Sequence, residues 1–107
     1  MSKTYTINGD SEVSTVVDPN FNHITVGVSY FTDDTYTTIA SPSAGTLAIQ
    51  GRVNGNFGWS DLVGSPLDCT DNSASANTST QLQEIRAVPT SLDAGVYFKV
   101  TITGNNH

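Results

Sequence analysis

Residues 96–103 read Val96-Tyr97-Phe98-Lys99-Val100-Thr101-Ile102-Thr103. Val96, Phe98, Val100 and Ile102 occupy alternate positions, with Tyr97, Lys99, Thr101 and Thr103 between them. Successive side chains of an extended strand point to opposite faces, so this period of two gathers the apolar set on one face and the polar set on the other. A helix of 3.6 residues per turn scatters the same apolar set around its circumference. The stretch is a strand with one face buried and one in water, the pattern of an antiparallel sheet.

The same reading extends to the rest of the chain. In residues 23–31, Ile24, Val26, Val28 and Tyr30 share a face; in residues 46–53, Leu47, Ile49 and Val53 do. Weaker runs occupy residues 3–7, 12–17, 35–39, 57–63 and 81–88. Asn8-Gly9 favours positive φ and predicts a tight hairpin joining the first two, and Asn54-Gly55-Asn56 predicts a second before Phe57. Leu82 and Ile85 have opposite parity, which predicts a bulge near Gln83 or Glu84. Pro19, Pro42, Pro66 and Pro89 fall between the runs, as a residue without an N–H should. Residues 71–80, rich in Ser, Thr and Asn, read as a solvated loop. No window holds apolar residues at a helical period. About eight short strands in 107 residues predict an all-β fold, a single antiparallel β-sandwich domain over residues 1–107. Ig-like Greek-key and jelly-roll topologies both fit the spacing.

Composition narrows the function classes. Ser, Thr and Asn make up about a third of the chain, while hydrophobic residues are 36% and charged ones 13%. This suits polar outer faces on a half-buried sheet, and not a charge-rich disordered segment. Four basic residues against ten acidic give a net charge of −6. Scattered cations cannot neutralise a run of phosphates or an anionic lipid surface, so neither nucleic acid nor membrane is an expected partner. A lone cysteine, Cys69, rules out an intrachain disulfide and a thiolate cluster and reads as a small buried side chain. The N-terminal residues turn polar at once, so no signal peptide is expected.

Candidates for chemistry are few. A nucleophilic triad needs a histidine. His107 is terminal, and His23 opens a strand run. Asp33-Asp34, or Asp61 with Asp68, are conceivable carboxylate pairs for glycoside hydrolysis, but aspartate between strand runs is ordinarily a turn former. The oxygen-rich stretch Asp68-Cys69-Thr70-Asp71-Asn72 lacks EF-hand spacing. No catalytic residue, cofactor or metal is therefore expected. Phe57 and Trp59 follow the Asn54-Gly55-Asn56 turn. Such aromatics stack on sugars or anchor a protein interface when exposed; a lone tryptophan in a small sandwich also packs in its core. Arg52 and the N-terminal segment with Tyr5 complete the interface candidates.

Two resemblances follow from these residues. Leu92-Asp93-Ala94-Gly95-Val96-Tyr97, a glycine turn with Tyr at the strand start, resembles the tyrosine corner of Ig-like and fibronectin-III-like sandwiches, in which the Tyr hydroxyl bonds back upstream. Residues 45–56 (Gly-Thr-Leu-Ala-Ile-Gln-Gly-Arg-Val-Asn-Gly-Asn) and the segment from Ile85 to Val100 resemble a strand-plus-hairpin and a closing hairpin of small β-rich virion proteins of tailed bacteriophages. That resemblance implies a capsid decoration or cement subunit. Such a protein is non-enzymatic, binds the major capsid protein or other virion subunits, forms homo-oligomers such as trimers, and resides in the virion. The alternative is a carbohydrate-binding or adhesion module of a phage tail or surface structure. A tail or neck component, an enzyme and a calcium module follow behind.

Overall fold

The computed structural model describes residues 2–71 and 73–106. Among the described residues, nine strands follow in chain order: β1 (Ser2–Gly9), β2 (Val13–Val16), β3 (His23–Phe31), β4 (Thr46–Arg52), β5 (Ser60–Asp61), β6 (Leu67–Asp68), β7 (Ser75–Thr78), β8 (Glu84–Thr90) and β9 (Tyr97–Asn105). They form two antiparallel sheets. The first has the order β1-β9-β3-β7; the second has the order β2-β8-β4-β5, with β6 also paired to β4. Together the sheets make an all-β sandwich.

The strongest alternations give the central strands. β9 lies between β1 and β3, and its Phe98, Val100 and Ile102 are fully buried. From β3 come Ile24, Val26 and Tyr30; across the core the second sheet supplies Leu47, Ile49, Ile85 and Ala87. Phe21, also fully buried, fills the end of this core. It can do so because Gly104 continues the inner face of β9 without a side chain; a Cβ there would collide with the Phe21 ring.

Several expectations need correction. Asn8-Gly9 does not make a hairpin: both residues pair with β9, opposite Lys99 and Phe98, and β2 belongs to the other sheet, paired to β8. The turn signal marks a crossing between sheets, because β1 and β2 each bury their apolar residues against a different layer. The run at 35–39 is a loop, joined to β3 by a bridge between Phe31 and Ile39. The segment at 71–80 contains β7, whose Ala76 is fully buried against the core. One small apolar residue among polar ones gave too little contrast to reveal a strand.

Pro89 lies within β8, opposite Leu47. The hydrogen bond from the Leu62 N–H to the Ile49 carbonyl shows that alternate β4 residues from Ile49 face away from β8. Leu47 and Pro89 are therefore a non-hydrogen-bonded pair, and the proline nitrogen faces past the end of β2, whose pairing stops at Val13 with Ala87. No ladder bond is lost. The bulge expected near Gln83 or Glu84 falls at the entrance to β8: the Gln83 N–H donates to the carbonyl of Arg52, the residue paired with Glu84, while Leu82 packs inward from the loop.

The other turn signal holds. β4 and β5 are a hairpin, with Gln50 opposite Asp61 and Gly51 opposite Ser60. Its loop is pinned by Asn54, whose carbonyl accepts the Phe57 N–H and whose side chain accepts the Asn56 N–H.

Candidate functional site

The β4–β5 hairpin returns Trp59 beside Arg52 on the outer face of the second sheet. On β4 the buried residues are Leu47, Ile49 and Gly51, so Ala48, Gln50 and Arg52 face outward. On β8 the outward set is Glu84, Arg86 and Val88. Register places Arg52 opposite Glu84 and Gln50 opposite Arg86. Two arginines thus stand diagonally on neighbouring central strands, within reach of one indole.

Both guanidinium carbons lie over the Trp59 ring, Arg52 at 4.5 Å from its centroid and Arg86 at 4.4 Å. Each is also held by a partner. The Glu84 carboxylate accepts from Arg52 Nε at 2.8 Å and from Nη2 at 2.5 Å. Arg86 donates from Nε to the Gln50 amide oxygen at 2.8 Å and lies 3.7 Å from the Glu12 carboxylate. Gln50 in turn donates to Asp61 at 3.1 Å. These contacts form a hydrogen-bonded, stacked cluster across three strands, with Trp59 half-buried at its centre. Beside it the hairpin loop carries exposed Phe57 and Val53, bordering a shallow cavity of about 220 Å³. Half of the chain's four basic residues are in this cluster.

Of the interface candidates read from sequence, Arg52, Phe57 and Trp59 come together here. Trp59 lies neither in the core nor fully in solvent. Tyr5 belongs elsewhere. It is half-buried on the inner side of the first sheet, its ring edge-on to Phe21 at 6.4 Å, and its hydroxyl accepts the Asp18 N–H at 3.0 Å. This ties β1 to the chain leaving β2. Tyr97 does not form a tyrosine corner. Its ring packs edge-on against Tyr36, and among the described residues no hydrogen bond joins its hydroxyl to the chain upstream. Sequence reasoning missed Arg86, Glu84 and Gln50. Their signal was parity, Glu84 and Arg86 alternating with Ile85 and Ala87 and Gln50 with Leu47 and Ile49, legible only once the register of β8 with β4 was fixed.

The acidic candidates serve turns. Asp33 accepts from the Thr37 and Thr38 N–H groups at 3.1 and 3.0 Å, and from the Thr35 and Thr37 hydroxyls. Those hydroxyl bonds, helped by the backbone donors, hold its carboxyl well below the usual carboxylate range. The loop it organises places Tyr36 at a φ of 57°. There its ring covers Phe31 edge-on at 5.6 Å. Asp61 and Asp68 do not pair: Asp61 accepts from Gln50 and Ser65, and Asp68 from the N–H and hydroxyl of Thr70. Asp71 does the same for Ser73. The hydroxyl bonds lower both carboxyls. Asn72 and His107 lie outside the described residues. His23 opens β3 opposite Asn105.

Cys69 is buried, as expected, and burial pushes its thiol up. Its neighbour is the Tyr30 hydroxyl, buried without a nitrogen or oxygen partner among the described residues. Burial, then contact with Cys69, pushes this phenol far above its ordinary value. Both groups are poor nucleophiles in that state.

A family model described as a domain of unknown function, DUF7265, matches residues 1–107. No curated protein matches the chain. Among solved structures, the SPBc2 prophage-derived protein YomS is similar at a TM-score of 0.60 and 13% identity, over 98% of this chain and 96% of YomS. The PBSX exported protein XepA is similar at 0.61 and 13% identity, over 96% of this chain. The match covers 38% of XepA. At these identities the likeness is one of fold, and the fold is one found in prophage-derived β proteins.

Proposed function

The chain belongs to the DUF7265 family, and from that premise we propose that it is a non-enzymatic structural protein of a phage particle. Its role is that of a decoration or cement subunit, docking on the major capsid protein or another virion subunit through the outer face of the second sheet. The observation that carries this reading is the Arg52–Trp59–Arg86 stack beside exposed Phe57. Tryptophan and arginine are the residue types that dominate binding energy at protein interfaces. Here their side chains are already held in place by Glu84 and Gln50. Binding therefore loses less side-chain freedom than it would with free arginines. The fold shared with YomS over nearly the whole of both chains supports a phage setting. On a shell, many copies share one lattice, so each contact can be modest.

A carbohydrate-binding role is the second reading, favoured by exposed Phe57 next to Asn54 and Asn56. The Trp59 ring is already stacked with guanidinium groups, which leaves Phe57 alone to meet a sugar.

Co-sedimentation with emptied shells of the encoding phage tests the proposal. The wild-type protein should pellet with shells, and Trp59→Ala, folded by circular dichroism, should lose at least about tenfold in retention, the scale of a single interface anchor. Equal retention of the two proteins overturns the assignment to this face. Failure of the wild-type to pellet, with retention on a glycan array, transfers the function to the second reading.

A further inference from the structure

We infer that β1 is an association edge for a second copy of this chain, joining two first sheets into one continuous eight-stranded sheet through an antiparallel β1–β1 seam. This does not depend on docking to a shell.

The argument begins with backbone direction. The Tyr30 carbonyl accepts from the Ala40 N–H, and the Thr32 N–H donates to Thr38, so these even-numbered positions of β3 and its continuation face away from β9. The odd-numbered ones, Thr25 to Phe31, face β9. The β3–β9 register is unbroken from His23 with Asn105 to Phe31 with Tyr97, so the odd-numbered residues of β9 face β3 and its even-numbered ones face β1. Gly104, Ile102, Val100 and Phe98 pair with Lys3, Tyr5, Ile7 and Gly9. The N–H and C=O groups of Ser2, Thr4, Thr6 and Asn8 are left pointing outward, and no strand among the described residues pairs with them.

The other edges are short or covered. β2 and β7 have four residues each and β5 has two. β7 is further closed by Val63, which exchanges two 2.9 Å hydrogen bonds with Asn77. Gly64, at a φ of 96°, permits that approach, because a Cβ there would strike the Ser75 carbonyl. β1 has eight residues, without proline and without a break in register. An inward-pointing lysine is one way natural edges are blocked. Lys3 has that parity, but its ammonium is drawn back over the Tyr5 ring at 5.1 Å.

A second copy fits this edge in detail. Antiparallel pairing centred on Tyr5 sets Ser2 opposite Asn8 and Thr4 opposite Thr6. Every outward donor and acceptor then finds a partner, and the central side chains meeting on the outer face are Thr–Thr pairs, which favour sheet contact, flanked by Ser2–Asn8 pairs. Charge agrees. β1 carries Lys3 and none of the chain's ten carboxylates. Two molecules of net charge −6 can therefore meet along it without opposed acids. The remaining repulsion is long-range, so added salt should tighten the association.

Light scattering and amide hydrogen exchange on the intact protein test this together. The mass should rise with concentration from 11.3 kDa toward twice that value, more readily in salt. Exchange at the Thr4 and Thr6 amides should slow about tenfold or more as the dimer forms, while the Tyr5 and Ile7 amides stay protected throughout. Thr6→Pro deletes only an outward N–H and should hold the protein monomeric with its melting temperature kept. A monomeric mass at all concentrations, with Thr4 and Thr6 exchanging freely, overturns the inference. A dimer in which those two amides stay unprotected overturns it too. The exchange pattern needs no variant, so a Thr6→Pro protein that fails to fold leaves the test intact.

Discussion

The two outer faces of the sandwich are built on one core and differ in almost everything else. The outer face of the first sheet sets Thr6, Thr101, Gly27 and Ser75 in one row and Thr4, Thr103, Thr25 and Asn77 in the next. Its side chains are short and interact little, and a Cβ added at Gly27 would meet open space. The outer face of the second sheet sets Val16, Glu84 and Arg52 in one row and Ser14, Arg86, Gln50 and Asp61 in the next. There Arg52, Glu84, Gln50, Arg86 and Asp61 are bonded to one another in pairs, and the two arginines stack on Trp59. Short hydroxyl side chains keep a strand extended and wetted at small entropic cost. Long ones lose more freedom on ordering, and here ion pairing, hydrogen bonds and stacking across the strands offset that loss. The difference separates a face of short, largely independent side chains from one of long, mutually held ones, the face proposed above to dock.

The largest effect should come from what the faces share. Phe98→Ala empties the inner side of the first sheet and should cost about 3–5 kcal/mol. Trp59 sits on the far face of the other sheet, so its fluorescence reports the second layer. Its unfolding midpoint should fall together with that of the far-ultraviolet signal. A Trp59 transition that stays at the wild-type midpoint would show two independently melting layers and end the picture of two faces on one core.

Next comes the stack itself. Trp59→Ala removes the ring shared by two guanidinium groups, each such contact being worth about 0.5–1 kcal/mol near a surface. A loss of about 1–2 kcal/mol in urea unfolding is expected, along with freer Arg52 and Arg86 side chains by NMR. Phe57→Ala, one turn away and exposed, should leave stability within about 0.5 kcal/mol while weakening the partner contact. Equal costs for the two substitutions would mean that Trp59 is not structurally engaged as described.

A smaller effect is expected where the first sheet does carry side-chain structure, at the loop held by Asp33. Hydrogen bonds lower its folded pKa below the ordinary 3.8. A carboxyl lowered on folding contributes stability above its unfolded pKa and loses it as pH falls through the folded value. As pH falls below the ordinary carboxylate range toward that lowered folded value, the Tyr36 ring should therefore loosen from Phe31 and Tyr97 by NMR. Asp33→Asn should show this loosening already at neutral pH. An acid titration with no change at Tyr36 would remove the carboxylate as the organiser of the loop.

Legibility followed burial contrast. The strands in which apolar and polar residues alternate fully, β3, β4 and β9, are where the sequence places them to within a residue or two. β7 stayed hidden because its inward residues are Ala76 and Thr78, and β6 because two residues hold no period. The Asn8-Gly9 dipeptide misled because a turn propensity states that the chain can bend there, and not which layer it enters next. The site was half visible. Arg52, Phe57 and Trp59 are close in sequence and chemically conspicuous. Arg86 joins them through a pairing between β4 and β8 that skips three intervening strands, and no local pattern encodes that register.

The smallest effect is the one the Thr-rich face should give. Thr101 stands in the middle of β9, flanked by Thr6 on β1 and Gly27 on β3, with its side chain exposed. Gly27 offers it no side chain to pack on, and Thr6 offers a short one. Thr101→Val keeps the β-branched shape and its strand preference while removing a hydroxyl that water already serves. Stability should move by no more than about 0.5 kcal/mol, and shell binding by nothing measurable. The same exchange of polar for apolar on the other face, Gln50→Leu, breaks the hydrogen bonds that hold Arg86 and Asp61. It should weaken shell binding even where stability is kept. If Thr101→Val weakened binding as much as Gln50→Leu, the docking surface would have to extend to the first sheet, and the contrast between a quiet face and a prepared one would no longer describe how the molecule makes contact.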